Sequence, residues 1–370
     1  MALARPARDQ RLDVIRGGLQ IFIFVSHIAN SFVGGRLIHR AWGLSDSSEQ
    51  FLFLSGLMLG SVFTLKAARG PALPAVLDIF RRAARLYRTH LTMCALFFAM
   101  LALVSLSFLP GELARLGWGW MLAQPLHAIP AMLALIYEPD WMDILPMFVW
   151  GMLLLPPFLL AESRVGAWAL LPPLAVYLAT QLGRLHAPGL SETVGMGFDP
   201  FAWQLIYLLG AWLGRRALRH GRALPYDAAW APLAHAAAAL VLLAGLYVKL
   251  NWHGWLHWPA PAFEADWAYD KQELAWPRLV HALALAWLVG ALVPRDGGWL
   301  RTRLAEAVAT MGRHSLEVFC LGLFLSYGVS TALRLWPALF WPLDFGLSAL
   351  GVLVLMRWAR FLARQRVLKA

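Results

Sequence analysis

An arginine and a histidine share one long apolar segment near the start of the chain. Residues 14–33 form an apolar run of about twenty residues, long enough for a helix to cross a bilayer. Arg16 and His27 are eleven residues apart in this run. At about 100° per residue, both side chains fall on one helix face, roughly 16 Å apart along the axis. Because ionisable residues in such a run usually face a protein interior or a wet cavity, we expect the other helices to assemble around this face.

Four arginines precede the third apolar run, and they are Arg81, Arg82, Arg85 and Arg88. Spacings of three and four residues place Arg81, Arg85 and Arg88 on one face of a helix. Guanidinium groups match phosphate oxygens with paired hydrogen bonds, so the cluster can bind a phosphorylated ligand. Cytoplasmic anchoring by the positive-inside rule is the other interpretation, and the sequence leaves both open.

Acidic residues stand at the start of other apolar runs. Asp46 and Glu49 have the spacing of a capping box that opens the second run. The same two acids would lie at the outer surface, near the level of His27, where they could orient its imidazole. Asp143 precedes the fourth run, either as a helix N-cap or as an acid at the outer mouth of the bundle. Glu317 opens the ninth run, where it either caps the helix or faces a cavity.

A scaffold of membrane helices must position these residues. The chain has 370 residues, of which 60% are hydrophobic and only 14% are charged, whereas a soluble domain carries about a quarter charged residues. Residues 121–136 are apolar but short and are interrupted by Pro125 and Pro130, which favours a re-entrant or interfacial segment. We therefore predict an all-α fold, a polytopic transmembrane helical bundle of about ten crossings plus one re-entrant segment, forming a single domain over residues 1–370. The predicted crossings are 14–33, 51–68, 89–109, 143–161, 165–183, 201–218, 230–250, 277–293, 315–334 and 338–357.

The distribution of basic residues predicts the orientation. With the N-terminus cytoplasmic and 121–136 not crossing, 24 of the 32 Lys and Arg residues fall on the cytoplasmic side. If 121–136 crossed, 14 of those 24 would move outside, against the positive-inside rule. Both termini are therefore expected in the cytoplasm. The net charge of +11 is explained by these loops, so no nucleic-acid partner is expected.

The longest outer loop, residues 251–275, is rich in aromatic and acidic residues. An aromatic belt at the membrane interface is one interpretation, and a platform that stacks sugar rings is the other. His253 and His257 are four residues apart, but nothing else has metal-ligand spacing, so no metal site is expected. The tryptophans and acids of this loop are Trp252, Trp255, Trp258, Trp267, Glu264, Asp266, Asp270 and Glu273.

Several motifs resemble those of a known family. Arg16 with His27, and the pair Arg82 and Arg85, resemble the arginine–histidine and paired-arginine motifs of type 3 membrane acyltransferases. A closer resemblance is to the OpgC family, the succinyltransferases of osmoregulated periplasmic glucans. The similar segments occur in one order along nearly the whole chain, and they are Arg11 to Gly17, Asp46 to Gly56, Asp143 to Pro146 and His314 to Phe319.

The resemblance implies transfer of an acyl group, namely succinyl, from cytoplasmic acyl-CoA to a hydroxyl of a periplasmic glucan or related polysaccharide. The protein would lie in a bacterial inner membrane, in contact with lipid. The arginines would bind the phosphates of coenzyme A, the pantetheine arm would follow the face of Arg16, and His27 would act as the general base. Ser26 occupies a position where the family pattern leads us to expect an acid. Which residue orients the imidazole, and whether transfer is direct or through an acyl-enzyme, stay open.

Two other functions fit parts of the sequence. Ten crossings, intramembrane ionisable residues and a proline-broken segment suit a transporter or flippase for an envelope carbohydrate, although no internal repeat relates the halves. A scaffold for glucan assembly would leave His27 without a task.

Overall fold

The computed structural model describes residues 9–188, 196–256 and 269–368. These residues form α-helices joined by short turns and 3₁₀ segments, and they contain no β-strand. In chain order the helices are α1 Gln10–Ser26, α2 Phe32–Arg36, α3 Ser47–Ala67, α4 Leu73–Ser107, α5 Glu112–Arg115, α6 Gly119–Ala123, α7 Pro125–Leu133, α8 Ile144–Val165, α9 Leu171–Gln181, α10 Pro200–His220, α11 Ala231–Trp252, α12 Trp276–Leu292, α13 Arg303–Arg313, α14 Ser315–Leu335 and α15 Phe340–Leu368.

The helices pack as two compact units. The first contains the described residues of 52–224 and 267–276, and the second contains those of 6–51, 225–266 and 277–370. Helices α3 and α12 each contribute residues to both units. The expectation of a single functional domain stays a prediction.

In the first unit, α8 packs against α4 and α10, and α3 approaches α10 at glycines. A Cβ atom at Gly56 would overlap the backbone of Tyr207, and one at Gly214 would overlap the backbone of Leu57. Helices approach this closely in membranes where small residues recur every four positions. The spacing of Gly56 with Gly60 and of Gly210 with Gly214 therefore sets the contact between α3 and α10.

In the second unit, α1 lies against α13, α14 and α15. The tightest approach is between α1 and α13, because a Cβ at Gly17 would overlap the backbone of Val308 and one at Gly312 would overlap that of Asp13. Phe24 and Val25 of α1 join a buried apolar cluster with residues of α13, α14 and α15. This packing leaves α1 at the centre of the unit.

Six helical segments among the described residues are long and apolar enough to cross a membrane. The shorter helix α12 is also apolar. Large apolar side chains remain exposed on these segments, for example Leu103 on α4, Leu240 on α11 and Leu353 on α15. Exposed leucines on apolar helices of this length are the expected surface of a helical membrane protein. The six segments are Ser47–Ala67, Leu73–Ser107, Ile144–Gln181, Ala231–Trp252, Ser315–Leu335 and Pro337–Arg366.

The structure changes one of the predicted segments, residues 14–33, and adds detail to another, residues 121–136. The continuous helix predicted over 14–33 is wrong, because α1 ends at Ser26 and the chain turns before α2 begins at Phe32. Residues 121–136 contain only α7 and the end of α6, both too short to cross about 30 Å of hydrocarbon. The number of crossings beyond the six apolar segments stays a prediction.

Candidate functional site

His27 is the C-cap residue of α1, and its half-buried ring is held by the helix itself. Its Nδ1 lies 2.7 Å from the carbonyl oxygen of Ile23. A carbonyl oxygen can only accept, so Nδ1 carries the hydrogen of the neutral ring and Nε2 carries the lone pair. The Ser26 hydroxyl donates to the same carbonyl at 2.9 Å. A backbone carbonyl therefore takes part in orienting the ring, and an orienting role for Asp46 or Glu49 stays a prediction.

Two serines of α14 hold the backbone around His27. The hydroxyl of Ser326 donates to the carbonyl of Phe24 at 2.8 Å. The hydroxyl of Ser330 accepts from the backbone N–H of Ala29 at 2.9 Å. The last carbonyls of a helix have no intrahelical partner, so such side chains stabilise its end. The end of α1 is therefore fixed against α14.

A buried acid of α15 explains why the helix stops. Asp344 is fully buried and accepts from the Ser31 hydroxyl at 2.6 Å and from the backbone N–H groups of Phe32 and Val33 at 2.8 and 3.1 Å. These N–H groups open α2, where an N-terminal carboxylate is favourable. Asn30 adopts a left-handed conformation with φ of 61° just before them. Asp344 was not among the predicted site residues, and its signal was an acid inside the predicted run 338–357.

The acids at the start of α3 form the predicted capping box and also bind an arginine. The backbone N–H of Ser48 donates to Asp46 at 2.7 Å, and the N–H of Asp46 donates to Glu49 at 2.9 Å. Arg278 of α12 donates through Nε to Glu49 at 2.8 Å and lies 3.5 Å from Asp46. Glu49 is fully buried and Arg278 is 7% exposed. The capping interpretation is confirmed, and Arg278 is a partner that the sequence analysis missed.

One turn further along α12, His281 completes the same polar face. Its Nδ1 lies 2.8 Å from the hydroxyl of Ser45 and accepts from the backbone N–H of that residue at 3.4 Å. A Cβ atom at Gly43 would lie 2.5 Å from the ring of His281, and one at Gly245 would lie 2.7 Å from it. An Arg and a His three residues apart in the apolar run 277–293 were the signal for this face, and it is the same kind of signal that identified Arg16 and His27.

The segment between α2 and α3 lies beside the end of α1. The ring of His39 packs on Phe22 with centroids 5.2 Å apart, and Arg40 donates through Nη1 to the carbonyl of Ser26 at 3.4 Å. Burial lowers the pKa of His39, and the negative charge of Asp46 opposes that shift. Residues 39–46 thus connect the surroundings of His27 to the Glu49 and Arg278 pair.

Arg16 is held in the second unit by the start of α14. Its Nη2 donates to the Ser315 hydroxyl at 2.5 Å, and its guanidinium lies 5.5 Å from the centroid of Phe51. Nearby in sequence, Glu317 pairs with Arg366 of α15 at 2.9 Å rather than capping α14. With α1 helical from Gln10 to Ser26, the rise between Arg16 and His27 is about 16 Å, as predicted.

The arginine cluster lies in the first unit, on the N-terminal half of α4. Arg81, Arg82, Arg85 and Arg88 are all exposed. Arg82 pairs with Asp78 at 2.9 Å, and Lys66 of α3 pairs with the same carboxylate at 2.8 Å. An exposed cluster in which one acid meets several cations retains an excess of positive charge for an anionic ligand.

Asp143 does not cap α8 with its side chain. A Cβ atom at Gly197 would lie 2.6 Å from its Oδ2, and the N–H of Gly197 donates to Glu138 at 3.2 Å. Burial raises the pKa of Glu138 well above its usual range, and Asp143 adds to the rise; the pKa of Asp140 is raised by the same two causes. Glu138 and Asp140 were not among the predicted site residues, although three acids within residues 138–143 were a visible signal.

Part of the predicted outer loop can be placed. Trp252 and Trp255 are exposed, and Glu273 pairs with His186 at 2.9 Å in the first unit. Within the described residues, no group of three His, Cys, Asp or Glu side chains could hold a metal ion. The loop residues that lie outside the described part of the chain are His257, Trp258, Glu264, Asp266 and Trp267.

The comparisons with known proteins give one match. A family profile with the description "OpgC protein" matches residues 8–367. No curated protein and no solved structure matches the chain. The matched residues contain α1 to α14 and all of α15 except its last residue.

Proposed function

The chain belongs to the OpgC family, which implies a glucan-modifying, acyltransferase-like function, and from this premise we propose the reaction and its site. The reaction is the transfer of an acyl group, with succinyl as the first candidate, from cytoplasmic acyl-CoA to a hydroxyl of a periplasmic glucan. His27 is the general base, and a nucleophilic residue is not required. The single observation that carries this assignment is the hydrogen bond from His27 Nδ1 to the carbonyl of Ile23.

That hydrogen bond assigns the lone pair to Nε2, and a general base acts through such a lone pair. His27 Nε2 takes the proton of the glucan hydroxyl while the hydroxyl oxygen attacks the thioester carbonyl carbon. The tetrahedral intermediate then collapses, the C–S bond breaks, and the imidazolium returns the proton to the departing coenzyme A sulfur. The products are an ester and free coenzyme A, and His27 is again neutral. A fixed tautomer saves the reorganisation that a freely rotating ring would require.

The other predicted site residues have proposed supporting tasks. The exposed arginines Arg82, Arg85 and Arg88 are proposed to bind the phosphates of the donor, for which guanidinium groups are well suited. Arg16 is proposed to contact the donor along the face of α1. Asp46 and Glu49 act through Arg278, because their carboxylates hold it in place. Asp143 remains a proposed acid of the reaction, and its negative charge helps to raise the pKa of the Glu138 carboxyl.

We place the protein in a bacterial inner membrane with both termini cytoplasmic. A contact within the second unit supports the part of this proposal in which residues 121–136 do not cross, since Arg36, which ends α2, lies 2.6 Å from His253, which follows α11. If residues 121–136 crossed the membrane, these two positions would lie on opposite sides. Cysteines replacing Lys271 and Arg219 test the orientation: only the one at 271 should react with an impermeant thiol reagent from the periplasm. The reverse pattern would contradict it.

The catalytic proposal is tested with purified protein, acyl-CoA and glucan, by following free coenzyme A and acylated glucan together. His27→Gln can still form hydrogen bonds but should lower the rate by about 10²–10⁴-fold, the usual contribution of a general base. Donor affinity should be unchanged. Ser26→Ala is the matched control, because it removes a neighbouring hydroxyl that takes no proton in this mechanism. Normal acylation by His27→Gln would contradict the proposal, and movement of glucan without release of coenzyme A would favour a transporter.

A further inference from the structure

Two tryptophans from different parts of the second unit form an aromatic pair next to the end of α1. Trp42 follows the 3₁₀ turn His39–Ala41, and Trp255 follows α11. Their ring centroids are 5.2 Å apart. Gly254, with φ of 70°, makes the turn that brings Trp255 back towards Trp42. Trp255 is 55% exposed, so one large aromatic side chain of the pair is available to a ligand.

Polar groups fix this pair in position. The indole Nε1 of Trp42 donates to the carbonyl of Arg36 at 2.9 Å. Arg36 donates through Nη1 to Nδ1 of His253 at 2.6 Å, so Nε2 of the neutral ring carries the hydrogen and donates to the carbonyl of Ala41 at 2.9 Å. The ring of His253 in turn contacts Trp255, with centroids 5.7 Å apart. A preorganised aromatic surface loses little conformational freedom when a ligand binds.

The surroundings of this pair differ from those of another exposed tryptophan in the second unit. Trp341 of α15 is 57% exposed, close to the value for Trp255. Its ring neighbours are Phe32, Phe340 and Phe345, all apolar. Trp255 instead adjoins a histidine that binds an arginine. A flat aromatic face beside hydrogen-bond donors suits a ligand with apolar ring faces and a hydroxyl rim, which describes a sugar.

The pair is also close to the proposed base. Arg40, two residues before Trp42, donates to the carbonyl of Ser26 at 3.4 Å, and Ser26 directly precedes His27. We propose that Trp42 and Trp255, with Arg36, form a binding site for glucose units of the acceptor glucan. The aromatic faces stack on the sugar rings, and Arg36 donates to their hydroxyl oxygens. This inference rests on the proposed function for the identity of the ligand.

The test measures binding of a linear glucose oligosaccharide to the full-length protein in lipid nanodiscs by calorimetry, in a His27→Gln background and without acyl-CoA, so that no acylation occurs. Trp255→Ala should weaken affinity about tenfold, as expected for the loss of one aromatic stacking contact. Trp255→Phe should retain most of the affinity. Trp341→Ala is the matched control and should change nothing. In the active protein, Trp255→Ala should raise KM for glucan while kcat and acyl-CoA affinity stay unchanged.

The outcomes separate this site from the catalytic proposal. If the oligosaccharide binds and Trp255→Ala weakens it, the site stands even when no coenzyme A is released. If the protein acylates glucan but Trp255→Ala changes neither affinity nor KM, the site is wrong and the catalytic proposal stands. Equal losses in Trp255→Ala and Trp341→Ala would also overturn it, because both rings would then act only at the lipid interface. Failure of the unsubstituted protein to bind the oligosaccharide has the same consequence.

Discussion

Two carboxylate–guanidinium pairs of nearly the same length stand in opposite environments. Glu49 and Arg278 in the second unit are joined at 2.8 Å and are both buried. Asp78 and Arg82 in the first unit are joined at 2.9 Å, with side chains 24% and 45% exposed. Solvent screens the pair of Asp78 and Arg82, so losing one partner costs little stability. In the buried pair of Glu49 and Arg278, the loss of one partner would leave the other charge buried and poorly compensated. The comparison distinguishes Arg278, whose buried ion pair stabilises the fold, from exposed arginines such as Arg82, which can exchange an intramolecular partner for a ligand.

Breaking the buried pair should have the largest effect on stability. Glu49→Gln leaves the charge of Arg278 buried with Asp46 as its acid, and we expect a loss of about 3–5 kcal/mol in the free energy of unfolding. Equilibrium unfolding in mixed micelles measures the loss. Glu306→Gln is the matched control, because Glu306 forms an exposed pair with Arg313 and should cost less than about 1 kcal/mol.

The double variant Glu49→Gln with Arg278→Met sharpens this result. Because it removes both charges, it should recover a large part of the stability lost in Glu49→Gln alone. A double variant as unstable as the sum of the two single variants would show that each residue acts through other contacts.

The turn after His27 is held by another buried acid, Asp344. In the hydrogen bonds described above its partners are a hydroxyl and two backbone N–H groups, none of them a cation. Asp344→Ala removes three hydrogen bonds to Ser31, Phe32 and Val33. Each bond to a charged group contributes about 1.5–3 kcal/mol, part of which water entering the site can replace. We expect a fall in kcat at saturating substrates with acyl-CoA affinity unchanged, because the turn that follows the base loses its anchor. Ser348→Ala, one turn further along α15, is the control and should retain kcat.

An equal fall of kcat in both α15 variants would mean that α15 affects activity through packing alone. Retained kcat in Asp344→Ala would show that the serines of α14 suffice to hold the end of α1.

For the exposed arginines of α4, the prediction concerns ligand affinity and not stability. Replacing Arg82 and Arg85 with alanine should lower acyl-CoA affinity at least tenfold, since each charge-assisted hydrogen bond contributes about 1.5–3 kcal/mol. Unfolding should be nearly unaffected. Arg360→Ala removes an equally exposed cation from α15 and should leave donor affinity unchanged. Unchanged affinity in the double variant would return these arginines to a role in membrane orientation.

Much of the fold follows from local features of the sequence. Apolar length identified α3, α11 and α14, and the spacing of Asp46 and Glu49 identified a capping box that the structure contains. Helix length and capping depend on residues that are neighbours in sequence, so one segment of the chain is enough to predict them. The same reasoning extended α1 too far, because the signal that ends it comes from Asp344, more than three hundred residues away.

The composition of the site depends on contacts between distant segments. Nothing near Glu49 in sequence indicates that Arg278 is its partner, and nothing near Trp42 indicates Trp255. The orientation of His27 could have been anticipated, since a C-cap histidine can reach the carbonyl four residues before it. This hydrogen bond was not predicted because the predicted helix continued beyond His27, and a histidine in the middle of a helix is not expected to cap its end.

The smallest expected effect is a dependence of stability on pH from the acids before α8. Burial raises the pKa of Glu138, so the folded protein holds this proton more tightly than the unfolded chain. The contribution of Glu138 to stability should therefore be complete below the ordinary carboxyl pKa of about 4.3 and should be lost as pH rises through the window between that value and the raised pKa. Asp140 contributes in the same direction.

Glu138→Gln, which keeps a neutral side chain able to accept from Gly197, should flatten most of this decline. Thermal unfolding followed across the pH range measures it, with Glu306→Gln as the control that should retain the slope of the unsubstituted protein. A decline that is equally steep in Glu138→Gln would assign the dependence to other groups and would mean that Glu138 is ionised in the folded state.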